Sequence, residues 1–375
     1  MKRILFITGT RADYGKIKPL MQEVCKVPNY ELHIFVTGMH MLSKYGSTHI
    51  ELEKDGFKNL YKYINQTEST SMDLILSNTI LGISNYVNEY EVDLIVVHGD
   101  RVEALAGAIV GALNNIRVAH IEGGEVSGTI DESIRHAVSK FSHLHFVAND
   151  EAKRRLIQLG EQSGNIYIIG SPDIDIMLSD KLPSFTEVQH KYEIPFSEYG
   201  ILMYHPVTTE VDNMKLKVKE VVDAILLSNR NYIVIYPNND NGSRDILEEY
   251  KRFEGNARIR IYPSVKFEYF LMMLKNCAFI IGNSSAGIRE AGIYGVPAID
   301  IGSRQNGRYA TSNQGIFHTD EVKDDILQSI QGLPDHKSME HNAFGDGNSS
   351  KRFIDILKGN DIWDCDIQKK FIDVE

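Results

Sequence analysis

Short apolar runs rich in β-branched residues alternate with amphipathic stretches along the first half of the chain. The apolar runs cover residues 4–8, 32–36, 94–97, 118–121, 145–147 and 166–169. Stretches with helical spacing lie between them, including residues 16–25, 72–90, 102–113 and 151–159. Apolar runs of about four to eight residues separated by helical patterns are typical of βαβ units. The pattern therefore predicts a parallel sheet covered by helices.

The same alternation restarts after Tyr199 and predicts a second sheet. Its strands are expected at residues 201–204, 232–236, 258–262, 279–281 and 298–301. The polar segment 181–197 carries Pro183 and Pro195 and is typical of a linker. We expect two doubly wound α/β domains, residues 1–180 and 181–375, with the last residues able to pack back on the first domain. Because open parallel sheets bind ligands beyond the carboxyl ends of their strands, we expect a site in the cleft between the domains.

Net charge narrows the classes of function. The chain has 375 residues, with 40 Lys and Arg against 51 Asp and Glu, and a net charge of −11. The summed field of so acidic a chain repels polyanions, so we expect neither nonspecific nucleic-acid binding nor attachment to an anionic membrane. A local basic pocket for a phosphorylated small molecule is compatible with that charge.

Cysteine usage and apolar run lengths bear on the compartment. Cys25, Cys277 and Cys365 are widely spaced, which favours neither a disulfide framework nor a zinc site and fits a reducing compartment. No stretch approaches the ~20 apolar residues that span a bilayer. The opening MKRILFITGTRAD is interpreted as a buried strand, because a secretory signal needs an apolar core of roughly 7–15 residues. We expect a cytoplasmic protein.

Candidate chemistry begins directly after the first predicted strand, in the sequence TGTRADYGK at residues 8–16. Small residues let the backbone approach a ligand, and the helix that follows offers N–H groups to an anion. Arg11 is suited to bind a phosphate through two hydrogen bonds. The sequence is neither GxGxxG nor a Walker motif, so a dinucleotide or Mg-ATP site is not indicated. The alternative is an ordinary tight turn between strand and helix.

A second small-residue motif, IGNSSAGIRE at residues 281–290, follows a strand of the second half. Asn283 or Ser284 is suited to cap the predicted helix. Paired hydroxyls and free amides at the positive end of that helix also suit a diphosphate. Glu290, about two turns along, is placed to accept hydrogen bonds from ribose hydroxyls.

Three acids follow neighbouring strands or open a neighbouring helix: Asp100 in HGDR, Glu122 in HIEGGE and Asp131 in GTIDES. A single acid at such a position is usually a solvated loop residue or a cap. Acid–base catalysis near neutral pH needs carboxyl groups in different protonation states, and crowding of like charges provides them. We therefore predict that these three acids take part in catalysis as a group.

His205, in HPVTT, follows the first strand of the second half. We predict that it contacts a phosphate or donates a proton, and the alternative is a residue that merely enters a helix. No spacing such as HExxH indicates a metal site, so we expect no metal and no cofactor.

Taken together, seven motifs resemble those of the hydrolysing UDP-N-acetylglucosamine 2-epimerases, most closely the sialic acid branch. In order along the chain they are TGTRADYGK, VHGDRVEALA, HIEGGEVSGTIDESIRH, HPVTT, YPNND, IGNSSAGIREA and GSRQNGR, which ends at Arg308. The resemblance implies a glycosyltransferase-B-like fold of two Rossmann-like domains with the nucleotide between them. It also implies UDP-N-acetylglucosamine and UDP as substrate and product, and a homodimer or homotetramer.

At matching positions the resemblance implies catalytic groups and substrate ligands. The catalytic groups are Asp100, Glu122, Asp131 and His205. The substrate ligands are Arg11, Lys16, Arg101, Asn238, Val265, Ser284, Ser285, Glu290 and Arg304. Among them, Ser284 and Ser285 are expected to bind phosphate, Glu290 to bind ribose, and Val265 to lie near the uracil.

The implied reaction converts UDP-N-acetylglucosamine and water to N-acetylmannosamine and UDP. Loss of UDP from C1 acidifies the hydrogen on C2, and a carboxylate removes it to leave 2-acetamidoglucal. Water then adds at C1 while an acid delivers a proton to the opposite face of C2. The alternatives are a hydrolysing epimerase of a nucleotide-linked 2,4-diacetamido sugar, as in legionaminic acid pathways, and a retaining glycosyltransferase. A non-catalytic nucleotide-sugar sensor would not need the three acids.

Overall fold

The computed structural model describes residues 1–126, 130–307, 315–334 and 344–373. Internal contacts divide the chain into two compact units. The first unit consists of the described parts of Met1–Glu125, Asp131–Asp180 and Ala343–Glu375. The second consists of the described parts of Val126–Ile130 and Lys181–Asn342.

The first unit is a seven-stranded parallel sheet covered by helices, with elements numbered in chain order along the whole molecule. Its strands are β1 (Lys2–Thr8), β2 (Tyr30–Val36), β3 (Leu60–Lys62), β4 (Leu94–His98), β5 (Arg117–Ile121), β6 (Leu144–Val147) and β7 (Ile166–Ile168). Its helices are α1 (Arg11–Cys25), α2 (His49–Lys54), α3 (Met72–Glu89), α4 (Val102–Leu113), α5 (Ile130–Phe141), α6 (Asp150–Gln158), α7 (Pro172–Met177) and, near the C-terminus, α15 (Ser349–Lys358).

Strand order in this sheet is β3-β2-β1-β4-β5-β6-β7. Because helices cover both faces, the central strands are buried on both faces and appear as continuous apolar runs in the sequence. Strands β2 and β3 are added on one side of β1, and strands β4 to β7 are added on its other side, so the strand order reverses at β1. Carboxyl ends at such a reversal are where open parallel sheets bind ligands.

The second unit repeats this architecture with six parallel strands in the order β10-β9-β8-β11-β12-β13. Its strands are β8 (Gly200–Met203), β9 (Tyr232–Ile235), β10 (Ile259–Tyr262), β11 (Phe279–Gly282), β12 (Ala298–Ile301) and β13 (Ile316–Thr319). Its helices are α8 (Phe185–Lys191), α9 (Met214–Leu227), α10 (Ser243–Tyr250), α11 (Phe267–Asn276), α12 (Ser285–Ile288), α13 (Glu290–Ile293) and α14 (Lys323–Gln331). In this sheet the strand order reverses at β8, which lies between β9 and β11.

The C-terminal segment belongs to the first unit and not to the second. Phe353 of α15 is fully buried and packs edge-on against Phe6 and Phe146, with ring centroids 6.3 and 4.9 Å apart. The Tyr30 hydroxyl donates to the main-chain oxygen of Leu357. Because the apolar face of α15 is buried among residues of the first unit, the second unit ends before residue 375, and the boundary at 375 holds only with the allowance that the last residues pack on the first domain.

Within the described ranges, no helix is both long enough and apolar enough to cross a membrane.

Candidate active site

The candidate residues of the first unit follow the carboxyl ends of three adjacent strands. Arg11 opens α1 after β1, Asp100 and Arg101 follow β4, and Glu122 follows β5. Asp131 lies in the first turn of α5. Because β1, β4 and β5 are adjacent and parallel, the groups that follow them lie along one edge of the sheet.

Arg135 links the two strand ends that carry acids. Its guanidinium donates to Oδ2 of Asp100 and, through Nη1, to the main-chain oxygen of Glu122 at 2.5 Å. Arg135 is buried, and it lies one helical turn after Asp131 on α5. A guanidinium binds two acceptors in a fixed geometry, so it holds Asp100 in place relative to the Glu122 backbone.

Glu122 is a buried acid on a constrained backbone. Its side chain is only 4 % exposed, and its φ of 62° lies in the left-handed region that few residues other than glycine adopt. Oε1 accepts a hydrogen bond from the Ser171 hydroxyl, and Oε2 lies 3.2 Å from Nε2 of His98. Two residues on, Gly124 has a φ of 75°, and a Cβ there would meet the main-chain oxygen of Ala152 at 2.2 Å. Strain of this kind is characteristic of functional loops.

A buried histidine fixes the loop that carries Asp100. His120 on β5 has Nε2 2.8 Å from the main-chain oxygen of Gly99 and Nδ1 3.0 Å from the Ser139 hydroxyl. Burial lowers the pKa of His120 to about 3, so the ring is neutral near pH 7. The neutral ring donates from Nε2 to the Gly99 carbonyl and accepts at Nδ1.

The basic candidates of the first unit each have an acidic partner within that unit. Arg11 forms a two-pronged ion pair with Glu51, with N–O distances of 3.1 and 2.5 Å. Nζ of Lys16 lies 3.1 Å from Oδ2 of the buried Asp173 on α7. Arg101 caps α4, and its Nε lies 3.3 Å from a carboxylate oxygen of Glu103. The roles of Arg11, Lys16 and Arg101 toward a substrate stay predictions.

Asp13 closes the turn after β1. Its carboxylate accepts from the backbone N–H groups of Gly9 and Thr10 at 3.0 and 3.1 Å, and the Thr10 hydroxyl accepts from the backbone N–H of Asp13 to complete a capping box. Burial raises the pKa of Asp13. The alternative interpretation of this motif, an ordinary tight turn between strand and helix, therefore describes part of its role.

The candidates of the second unit also follow the carboxyl ends of strands. His205 follows β8, Asn238 follows β9, Val265 follows β10, Ser284 follows β11 and Arg304 follows β12. All five strands are parallel neighbours, so these residues share one edge of the second sheet. Val265 is buried and Nδ2 of Asn238 lies 2.5 Å from Oδ2 of Asp240.

Asn283 joins the ends of β8 and β11. Its side-chain oxygen accepts from the N–H of His205 at 2.7 Å, and its side-chain nitrogen donates to the His205 carbonyl at 2.8 Å. Its own carbonyl accepts from Nη1 of Arg304 at 3.2 Å. The preceding Gly282 has a φ of 131°, and a Cβ there would meet the main-chain oxygen of Met203 at 2.0 Å. Only glycine permits this close approach of the two strand ends.

The helix predicted after Ser284 is shorter than expected. Ser284 caps α12 by accepting from the N–H of Ala286 at 3.3 Å, but α12 has four residues, and α13 begins at Glu290 after a break at Arg289. Gly287 and Gly292 lower the helix propensity of this stretch, which explains the break. A single turn carries little macrodipole, and the binding of a diphosphate at this helix end stays a prediction. Ser285 starts α12 and is half-buried, whereas Glu290 is buried at the start of α13.

The comparison with known proteins decides the family. The sequence profile of the UDP-N-acetylglucosamine 2-epimerases matches residues 22–358. The UDP-N-acetylglucosamine 2-epimerase of Neisseria meningitidis serogroup B is 48% identical over 378 residues, which cover 100% of both chains. The chain belongs to the UDP-N-acetylglucosamine 2-epimerase family. The resemblance inferred from its motifs is confirmed.

Other comparisons agree with this family. The UDP-N,N'-diacetylbacillosamine 2-epimerase (hydrolyzing) of Legionella pneumophila is 34% identical over 363 residues, 96% of each chain. The crystal structure of the Methanocaldococcus jannaschii UDP-GlcNAc 2-epimerase with UDP-GlcNAc and UDP matches with a TM-score of 0.80 and 24% identity. That match covers 95% of this chain and 99% of the other. The predicted glycosyltransferase-B-like fold of two Rossmann-like domains is confirmed.

Two side chains that contact the predicted acids of this epimerase, Arg135 and Ser171, were not predicted from the sequence. Arg135 stands four residues after Asp131, a spacing that does place both on one helix face. Ser171 carries no signal, because it lies 49 residues from Glu122 along the chain. Residues 127–129 of the acid-bearing motif and Arg308 lie outside the described residues. Across the described ranges, no cluster of three or more His, Cys, Asp or Glu side chains is arranged to hold a metal ion.

Proposed function

We propose that this epimerase hydrolyses UDP-N-acetylglucosamine with inversion at C2, giving N-acetylmannosamine and UDP for sialic acid biosynthesis. The observation that carries the proposal is the pair of strand-end acids, Asp100 and Glu122, tied together by Arg135. Asp131 begins the helix on which Arg135 lies. The name of the 48% identical relative supports this nucleotide sugar.

The first proposed step is departure of UDP. The C1–O bond breaks, and both its electrons go to the β-phosphate oxygen. Donors at the strand ends of the second unit, from Ser284, His205 and Arg304, would stabilise the developing negative charge. Such fixed donors usually supply the largest contribution to catalysis.

The second step moves protons at C2. We assign Asp100 as the base, because the Arg135 guanidinium donates to its carboxylate and holds it in a fixed position. We assign Glu122 as the acid that returns a proton to the other face of C2. Its hydrogen bond to His98 gives that proton a route between imidazole and carboxyl. Asp131 is left to orient the water that attacks C1 and to accept the proton that this water loses.

The test is proton NMR of UDP-N-acetylglucosamine incubated with the protein in D₂O. Elimination followed by hydration predicts free N-acetylmannosamine that carries deuterium at C2, together with UDP. A product that retains hydrogen at C2 would contradict the elimination. Substrate consumed only when an acceptor sugar is added would indicate a glycosyltransferase instead.

Replacement of Asp100 tests the assignment of the base. Asp100→Asn keeps the shape of the side chain but cannot take the C2 proton, so we expect kcat to fall by about 10²-fold or more. The matched exchange Asp73→Asn, on the exposed side of α3 in the same unit, should leave kcat unchanged. A folded Asp100→Asn variant with a kcat near that of the unmodified enzyme would remove Asp100 from the chemistry.

The second candidate substrate is a nucleotide-linked 2,4-diacetamido sugar. The 34% identical Legionella relative, which is named for such a sugar, favours it specifically. The same acids would serve both reactions, because the chemistry at C1 and C2 is shared. Comparison of kcat/KM for UDP-N-acetylglucosamine and UDP-N,N'-diacetylbacillosamine separates the two.

We also propose that the protein works in the cytoplasm as a homodimer or homotetramer. The free thiols of Cys25, Cys277 and Cys365 support a reducing compartment. Light scattering of the purified protein, with and without UDP, measures the assembly, and a monomer under both conditions would contradict it.

A further inference from the structure

The ring of His205 is fixed by a main-chain donor. The backbone N–H of Asn238, in the loop after β9, lies 3.0 Å from Nδ1 of the imidazole. A backbone N–H has no lone pair to offer, so Nδ1 must be the acceptor in this contact. Rotating the ring by 180° would replace Nδ1 with a carbon atom and break the bond, which settles the ring orientation.

This contact determines where the ring carries its proton. A neutral imidazole has one protonated and one unprotonated nitrogen, so an accepting Nδ1 leaves the proton on Nε2. A doubly protonated ring would place an N–H on Nδ1 against the N–H of Asn238. The positively charged form is therefore incompatible with this hydrogen bond.

The backbone of His205 is fixed as firmly as its ring. The Asn283 side chain binds both main-chain polar groups of His205, accepting at 2.7 Å and donating at 2.8 Å. Asn283 is fully buried, and its amide has a donor and an acceptor at the right separation for both contacts. An aspartate has the same shape but can only accept, so it would satisfy the N–H of His205 and repel the carbonyl.

We propose that His205, a donor to the departing UDP in the proposed function, acts there as a neutral imidazole with its proton on Nε2, and that Asn283 is the positioning residue that holds it. The inference rests on the proposed function, because it takes UDP as the leaving group. His205 then stabilises the new charge on the β-phosphate oxygen without losing its proton. UDP leaves as an anion, and no imidazolium has to be regenerated between turnovers.

Nitrogen NMR of the protein labelled with ¹⁵N-histidine tests the tautomer directly, independently of any turnover. His205 is assigned by the loss of its signals in His205→Gln. We expect a neutral ring with the proton on Nε2, and titration with UDP should shift the Nε2–H signal while Nδ1 stays unprotonated. A doubly protonated ring, or a proton on Nδ1, would overturn the proposal. If UDP-N-acetylglucosamine were not turned over, the ring signals would still be read, so the two failures are distinguishable.

Asn283→Asp tests the positioning role, with Asn276→Asp as its matched control. Asn276 is an exposed residue at the end of α11 in the same unit. We expect Asn283→Asp to mix the two neutral tautomers of His205 and to lower kcat more than tenfold, whereas Asn276→Asp should change neither. A folded Asn283→Asp protein with an unchanged ring spectrum and a kcat within twofold of the original would refute the positioning role. If this variant does not fold, the spectrum of the unmodified enzyme alone decides the tautomer.

Discussion

Arg135 binds two acceptors from different strand ends, the Asp100 carboxylate and the Glu122 carbonyl. Burial of a guanidinium costs free energy unless its donors are matched, so a buried arginine with two such acceptors has a defined position. The strand-end acids were predictable, because parallel strands deliver their carboxyl ends to one edge. The bond to the Glu122 carbonyl was not, since every residue has a main-chain oxygen and its direction depends on the left-handed φ of Glu122.

Arg135→Lys tests whether turnover depends on the positive charge of Arg135 or on the planar geometry of its guanidinium. Lysine keeps the positive charge but cannot bridge two acceptors in a fixed plane. We expect kcat to fall by about 10²-fold, the scale of loss for a misplaced catalytic group. The affinity for UDP should change little, because most of its predicted ligands belong to the second unit. The exchange is measured by steady-state kinetics and UDP titration.

The control for this exchange is Arg154→Lys, at an exposed position on α6 of the same unit. It should leave kcat and the affinity for UDP unchanged. Equal, small effects of both exchanges on kcat would mean that the bridge between Asp100 and Glu122 has no bearing on turnover.

Buried strands were predicted well, whereas two of the four edge strands were missed. Every predicted strand has its counterpart, but β3 and β13 were missed, and both lie at the edge of their sheets. An edge strand is covered less completely, so its sequence lacks a continuous apolar run: β3 has three residues, two of them exposed. The length of the helix after β11 was overestimated, because its capping residues were recognised in the sequence while the effect of Gly287 and Gly292 on its continuity was not.

His120 connects β5, the loop after β4 and helix α5, and it should make stability depend on pH. Its pKa is lowered by burial to about 3, whereas an unfolded chain binds that proton below about pH 6.5. Stability conferred by the neutral ring is therefore present above about pH 6.5 and is lost as the pH falls toward 3. The loss is about 1.4 kcal/mol per pH unit, or about 2 kcal/mol between about pH 7.5 and pH 5.

The measurement is urea unfolding at both pH values, followed through Trp363, the chain's single tryptophan, which lies in the first unit. In His120→Gln the loss of stability on acidification should be smaller by about 2 kcal/mol. The same exchange at His136, whose side chain is 46% exposed on α5, should leave the loss as it was. An unchanged pH dependence in His120→Gln would show that this ring does not titrate on unfolding.

At the scale of the whole molecule, the path of the chain differs from a simple pair of consecutive domains. The chain leaves the first unit after Asp180 and returns to it in the C-terminal segment. The helical pattern of α15 is visible in the sequence, but an amphipathic pattern does not say which sheet it covers. Its place is decided by shape, since Phe353 fills a space between Phe6 and Phe146.

Phe353→Ala measures how much the C-terminal segment contributes to the stability of the first unit. Loss of a fully buried phenylalanine should reduce the free energy of unfolding of the first unit by about 3–5 kcal/mol. Trp363 contacts Tyr30 with ring centroids 6.1 Å apart, so its fluorescence reports whether the segment is docked. The control is Phe371→Ala, at a side chain that is 90% exposed, which should change stability by less than about 0.5 kcal/mol. Similar stabilities of the two variants would contradict a core role for α15.

The passages after Asp180 and before Ala343 make the stretch between them an insertion within the first unit, and this governs how the protein can be divided. One cut near residue 181 would leave the halves joined through the later passage, so limited proteolysis must cleave twice to release a fragment. Residues 181–334 are the natural piece to produce alone. The first unit, in contrast, would have to be reassembled from two separately made polypeptides, or obtained as a single chain by joining 180 to 344 through a short linker.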